Sequence, residues 1–282
     1  MTAAEKTLAI CADDYGQSPA IDAGILRLLA MRRLSAVSCL SGGASWVADA
    51  PKLLAAAGEA QLGLHFNLSE GRPLSPALAR QWPRFPVLPR LIAAAHLRRL
   101  PLAALREELA AQLAAFTAAT GRTPDYIDGH QHVHALPGVR DAVLAAAAAL
   151  RPVPALRSTA KVAGPGFAVK RWLIESTGGR ALGRALAARG LRHNRVLLGA
   201  YDFAQTDYRA LMRHWLALTP AEGGLLFCHP GEAAEDPTDA IAAARVRELH
   251  YLAGDGFARD LAAAGVAIGP AWTPSSAATG AA

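Results

Sequence analysis

Short apolar runs alternate with Ala- and Leu-rich helical stretches along the whole chain, and that alternation leaves few folds open. Leu8–Ala12, Ala36–Leu40, Gln61–His65, Tyr126–Asp128, Ala155–Ser158, Arg195–Leu198, Gly224–Cys228 and Val266–Ile268 have the length and apolar character of buried strands. Pro19–Met31, Trp46–Ala57, Leu102–Thr120, Gly138–Leu150, Ala240–Ala253 and Gly256–Ala264 read as helices between or after them. In Leu102–Thr120 the apolar residues Leu102, Leu105, Leu109, Leu113 and Phe116 recur at helical spacing, which puts Arg106, Glu107 and Glu108 on the opposite side. Gly121 then stops that helix and Pro124 keeps it from resuming. Strands separated by helices pair in parallel through crossovers, so the chain is an α/β protein, either a barrel or an open sheet.

With 282 residues, 52% apolar and 18% charged, the chain is expected to bury one large core. It reads as a single domain over 1–270, with 81–99 as an insertion over one end and 271–282 as a loose tail of small residues. No run of 18 apolar residues marks a transmembrane segment, and the first residues lack the pattern of a secretory signal. Cys11, Cys39 and Cys228 all lie in apolar runs, which suits buried reduced thiols and a cytoplasmic setting. The net charge of +6 comes almost wholly from arginine, without the basic blocks interleaved with aromatics that nucleic-acid binding requires. A homodimer is the default expectation for assembly.

In parallel α/β proteins chemistry gathers at the carboxyl ends of the strands. Four runs end in capable residues. The first is followed by Asp13-Asp14-Tyr15-Gly16, two adjacent carboxylates whose side chains diverge and can take different tasks. The same pair would also serve as a helix cap or turn. His65 ends Gly63-Leu64-His65, where a structural histidine is the commoner reading. His130, His132 and His134 alternate after Asp128-Gly129, and in extended chain they would point to one side. Finally, Cys228-His229-Pro230-Gly231 places an imidazole at a strand mouth, just before the chain breaks. An aspartate with two histidines suits a divalent transition metal that keeps open positions. Gly-x-Ser-x-Gly, Walker A and Gly-x-Gly-x-x-Gly sequences are absent, which removes the main support for serine-hydrolase, nucleotidase and dinucleotide-dependent readings.

Ala-Asp-Asp-Tyr-Gly at 12–16, Gly-Leu-His-Phe-Asn-Leu-Ser-Glu-Gly-Arg-Pro-Leu at 63–74, Pro-Asp-Tyr-Ile-Asp-Gly-His-Gln-His-Val-His at 124–134 and Cys-His-Pro-Gly at 228–231 resemble the YdjC-like carbohydrate deacetylases. The resemblance implies a distorted (β/α) barrel and a metal-dependent N-deacetylase. It assigns one divalent ion, zinc or magnesium, to Asp14, His65 and His130. It makes Asp13 the base, His229 the general acid, and Arg157 the group that holds Asp13 ionised. His132, His134 and Asn67 are then expected to orient ligands or line the cleft. The substrate so implied is an N-acetylated sugar, oligosaccharide or glycolipid. Two rivals stand beside it: another metal-dependent barrel hydrolase, acting on phosphoesters or cyclic amides, and a non-catalytic sugar-binding relative.

Overall fold

The computed structural model describes residues 6–234, 239–270 and Trp272. Its strands are β1 (Lys6–Tyr15), β2 (Ala36–Cys39), β3 (Gln61–Phe66), β4 (Tyr126–Gly129), β5 (Ala155–Leu156), β6 (Leu197–Leu198), β7 (Gly224–Cys228) and β8 (Val266–Ile268). The helices are α1 (Pro19–Ala30), α2 (Trp46–Ala56), α3 (Pro76–Gln81), α4 (Leu88–His96), α5 (Leu102–Thr120) and α6 (Val139–Ala149), followed by α7 (Ala168–Ile174), α8 (Arg180–Ala188), α9 (Tyr208–Ala217), α10 (Ala242–Ala253) and α11 (Asp255–Ala264).

All strand pairs are parallel, in the order β5-β4-β3-β2-β1-β7-β6, and β8 pairs with Lys6–Leu8 of β1. Single bridges from Leu156 to His193 and from Val162 to Leu197 carry the curve round between β5 and β6. The result is a distorted (β/α) barrel with one thinly paired seam.

Along buried β1, alternate residues join different cores. Leu8, Ile10 and Ala12 pack outward under the helices, while Ala9 and Cys11 join Ala36, Tyr126, Ala155, Leu225 and Phe227 in a separate inner core. Small inner residues make room for Tyr126. A Cβ on Gly63 would lie 2.3 Å from its ring. Trp272, the one described residue of the expected 271–282 tail, is buried with its ring 4.8 Å from Tyr126; the rest of that tail lies outside the described residues.

One helix face differs from the sequence reading. Glu108 is fully buried rather than on the outer side of α5. Its carboxylate accepts the backbone N–H groups of Leu74 and Ser75 at 3.0 and 2.7 Å and the side-chain amide of Gln112 at 2.8 Å. The orphan donors of an incoming loop thus repay a burial that periodicity alone would forbid. Residues 81–99 carry α4, and Leu88 and Ile92 of that helix line a cavity over the carboxyl ends of the strands.

Candidate active site

That cavity has a volume of about 540 Å³, a size suited to a small ligand. Asp13, Asp14, His65, His130 and His229 all line it, together with His132 and Arg245. The first pair sits at a local irregularity of the chain. Asp14 has φ 75°, a left-handed conformation that aspartate tolerates better than most residues. It lies where the register of β1 against β2 shifts, between Ala12 and Tyr15.

Asp13 faces a buried guanidinium. Arg157, just past β5, donates from Nη1 and Nη2 to both Asp13 oxygens at 2.6 Å. Its Nη2 also lies 2.7 Å from Asp128 and 3.1 Å from the Ser38 hydroxyl and the Cys11 sulfur. Burial opposes charge on Asp13, but Arg157 outweighs it and holds the carboxyl well below its ordinary range. Burial pushes the Cys11 thiol up to about 12.

Asp14 faces the other way. Its Oδ1 lies 2.9 Å from His130 Nδ1 and 3.4 Å from His65 Nε2, and its Oδ2 accepts from Arg245 Nη2 at 2.8 Å. One ligand atom from each of Asp14, His65 and His130 falls within 4.8 Å of the others. The remaining nitrogen of each imidazole meets a carboxylate: His65 Nδ1 is 2.7 Å from Asp128, and His130 Nε2 is 2.8 Å from Glu70. A carboxylate behind each imidazole is the arrangement that fixes tautomer and ring orientation at a metal site. Although burial works against protonation, the surrounding carboxylates raise His65 to about 10 and His130 to about 9. A field that favours extra positive charge on both rings equally favours a bound cation. The oxygen and nitrogen donors therefore fit one divalent ion.

A second cluster of possible donors, Cys11, Asp13 and Asp128, is equally close. Its centre is taken by the Arg157 guanidinium, so its positive charge comes from the chain itself.

His229 lies on the opposite wall. Its backbone N–H donates to Glu248 at 2.6 Å, and its ring meets Phe203 and Phe227 edge-on at 5.2 and 5.5 Å. Desolvation there lowers it to about 4, so it is neutral at ordinary pH. Glu248 is itself raised to about 7 by burial, and the Tyr201 hydroxyl donates to it at 2.5 Å.

The alternating histidines do not form the extended row expected from their spacing. Residues His130–Ala135 make a 3-10 turn, with Gln131 and His132 both left-handed. The three rings consequently separate. His130 reaches Asp14, His132 lines the cavity with Nδ1 unpartnered among the described residues, and His134 donates from Nε2 to the Arg157 carbonyl at 2.8 Å. Asn67 lies outside the cavity lining. Its side-chain oxygen accepts the N–H groups of Ser69 and Glu70, and its amide donates to the Glu70 carbonyl, bracing the turn that presents Glu70 to His130.

Asp128, Glu70, Glu248 and Arg245 had no role in the sequence reading. Asp128 carries a usable signal, because it sits two residues after inward-facing Tyr126 on β4 and therefore points inward too. Arg245 carries none: it lies on α10, 231 residues from the aspartate it contacts.

The YdjC-like protein family matches this chain over residues 7–263. The carbohydrate deacetylase of Homo sapiens is 33% identical over 251 residues, which cover 86% of this chain and 70% of the human protein. That of Mus musculus is 32% identical over 231 residues, covering 78% of this chain and 66% of the mouse protein. The chain thus spans about two-thirds of the length of these mammalian relatives. The chitooligosaccharide deacetylase of Klebsiella pneumoniae (strain 342) is 33% identical over 137 residues, 46% of this chain and 51% of that protein. Among solved structures, one from Enterococcus faecalis V583 described as a cellobiose-phosphate cleavage protein superimposes with a TM-score of 0.71. At 20% identity, with 94% of this chain and 97% of that one covered, it shares the fold.

Proposed function

The chain belongs to the YdjC-like protein family, and from that premise we propose that it is a metal-dependent N-deacetylase. It hydrolyses the acetamido group of an N-acetylated sugar, oligosaccharide or glycolipid to a free amine and acetate. The observation that carries this reading is the convergence of Asp14, His65 and His130 on the floor of a cavity that Asp13 and His229 also line.

Asp14, His65 and His130 would hold one divalent ion, which would supply Lewis acidity toward the attacking water and the acetyl carbonyl. Asp13, ionised by Arg157, accepts a proton from the attacking water. The pair with Arg157 costs Asp13 basicity but fixes its oxygens in place. His229 donates to the departing amine, which leaves poorly without a proton. Since His229 rests neutral, that proton reaches it during turnover, and Asp13 in the same cavity has just gained one. His134, through the Arg157 carbonyl, and Asp128, through His65, keep the reacting groups oriented.

A two-metal hydrolase needs a second cation position. Arg157 fills the one other donor cluster found among the described residues, which favours the single-ion reading. The test is acetate release from N-acetylglucosamine oligomers and N-acetylglucosaminyl lipids, before and after chelation and metal restoration. Activity that survives chelation, or full activity of Asp14→Ala or His130→Ala, overturns the proposal.

A further inference from the structure

Much of the cavity wall is apolar, with Leu88 and Ile92 from α4, Leu173 and Ile174 from α7, and Phe203 and Phe227 near His229, although Lys170 and Thr177 also line it.

The apolar surface does not end at the rim. Val87, just before α4, is 60% exposed, and Val169 and Trp172 on α7 are 72% and 55% exposed. With Leu97 and Leu173, five of the twelve exposed large apolar side chains among the described residues belong to α4, α7 and the residues flanking them. No residue of α7 is buried, although its sequence is mostly apolar. The two helices are tied together, since His96 at the end of α4 meets the carbonyl of Thr177 just past α7 at 3.1 Å. They therefore form one greasy lip around the entrance, larger than scattered surface leucines explain.

The charge around this lip is one-sided. Residues 71–106 hold seven arginines and no acidic residue, and residues 162–192 hold six basic residues and one acid, Glu175. These two stretches carry thirteen of the 29 basic side chains and one of the 23 acidic ones, so the remainder of the chain is net negative. Arg84, Arg90, Arg98, Arg99 and Arg180 are exposed. Exposed tryptophan and valine flanked by arginine is the composition of segments that lie in a membrane interface. No helix among the described residues is long and apolar enough to cross a membrane.

We propose that the cavity mouth docks on an anionic phospholipid surface. Val87, Val169 and Trp172 enter the headgroup–acyl boundary and the flanking arginines meet the headgroups. The substrate is then an amphiphile lying in that surface, whose polar head reaches the cavity floor while its apolar portion follows the walls. The docking stands on the rim alone; the amphiphilic substrate also rests on the deacetylase reading.

The experiment is co-sedimentation of the full chain with phosphatidylcholine vesicles and with an equal mixture of phosphatidylcholine and phosphatidylglycerol. Binding is expected for the mixture, weak for phosphatidylcholine alone, and reduced by added salt. Each surface arginine removed lowers affinity about fivefold, so Arg90→Ala/Arg98→Ala loses about thirtyfold. Val169→Ser/Trp172→Ser is expected to abolish vesicle binding while acetate release from a soluble N-acetylglucosamine oligomer is unchanged, which also shows that the variant folds. Wild-type protein that deacetylates the soluble oligomer but does not bind the mixed vesicles overturns the docking. So does a dimer that loses its association on Val169→Ser/Trp172→Ser and binds no vesicles. Vesicle binding without acetate release from any substrate supports the docking and removes the deacetylase reading.

Discussion

Replacing Arg157 with methionine leaves a shorter, unbranched side chain in its place and removes the charge. Arg157 is fully buried and meets Asp13 through two bonds of 2.6 Å and Asp128 at 2.7 Å. At an effective dielectric constant of about 20 and a charge separation of about 4 Å, each carboxylate loses roughly 4 kcal/mol of attraction. The loss is capped, because a stranded carboxylate can take a proton at a cost of about 1.4 kcal/mol per pH unit above its ordinary pKa. Asp128 also keeps Ser38 at 2.7 Å and His65 at 2.7 Å, so most of the damage falls on Asp13. A net destabilisation of about 3–5 kcal/mol follows, the usual result of breaking a buried ion pair from one side.

The pH dependence gives this prediction its sign. In the native protein burial opposes charge on Asp13 and Arg157 more than offsets it, so the folded pKa is depressed. The stability this contributes is complete above the ordinary aspartate pKa and is lost as pH falls through the folded value. In Arg157→Met burial is opposed only by the weaker pull of the His65 and His229 imidazoles, and the folded pKa rises above the unfolded one. Stability is then greatest in acid and falls as pH rises toward the new pKa. Urea unfolding in chelator, near pH 5 and near pH 8, should show a deficit that grows with pH. Adding Asp13→Asn should recover part of it at the higher pH. A midpoint equal to the native one, or a deficit that shrinks as pH rises, refutes the reasoning.

Zinc retained after dialysis, measured by atomic absorption, is expected to fall to background in Asp14→Ala, His65→Ala and His130→Ala, and to stay at one ion per chain in His134→Ala. Asp22 gives a pH effect away from these groups: burial raises it to about 7 despite hydrogen bonds from Ser45 at 2.5 Å and the Gly16 N–H at 2.6 Å. Its contribution to stability is full below the ordinary aspartate pKa and lost as pH rises to about 7, so Asp22→Asn should flatten the urea midpoint across that window. Gly63→Ala places a Cβ 2.3 Å from the Tyr126 ring and should cost about 1–3 kcal/mol by overpacking, read by thermal unfolding. A thiol reagent should find no reactive cysteine until the chain unfolds, because Cys11, Cys39 and Cys228 are buried and all three thiols are shifted upward.

What the sequence discloses here depends on distance along the chain. Strand edges are local. The stop at Gly121 and the break after His229 each follow from a few neighbouring residues, and β7, α5 and β8 begin and end where the sequence places them. The same locality exposes Asp13, Asp14, His65, His130 and His229, since each ends or follows an apolar run. The 130–135 turn breaks this logic within a few residues. Gln131 and His132 are left-handed, and the turn brings Gly129 so near His134 that a Cβ would lie 2.8 Å from the His134 nitrogen. No local pattern announces that.

The charges that govern the site come from farther away. Arg157 reaches Asp13 across 144 residues and Arg245 reaches Asp14 across 231. Both are arginines in a chain that has many, so type alone does not single them out. What distinguishes them is near-complete burial, which neither could sustain without a carboxylate partner. Their placement also differs in consequence. Arg157 holds both oxygens of Asp13 and sits at the centre of the Cys11–Asp13–Asp128 cluster, so it is a fixed charge. Arg245 takes only Oδ2 of Asp14 and leaves Oδ1 turned to the two imidazoles. One aspartate of the pair is thereby neutralised by the chain, and the other keeps an oxygen for an exchangeable cation. That asymmetry would let adjacent, chemically identical side chains perform different tasks, and it is set by two residues far away in the sequence, Arg157 just past β5 and Arg245 on α10, rather than by the Asp-Asp motif itself.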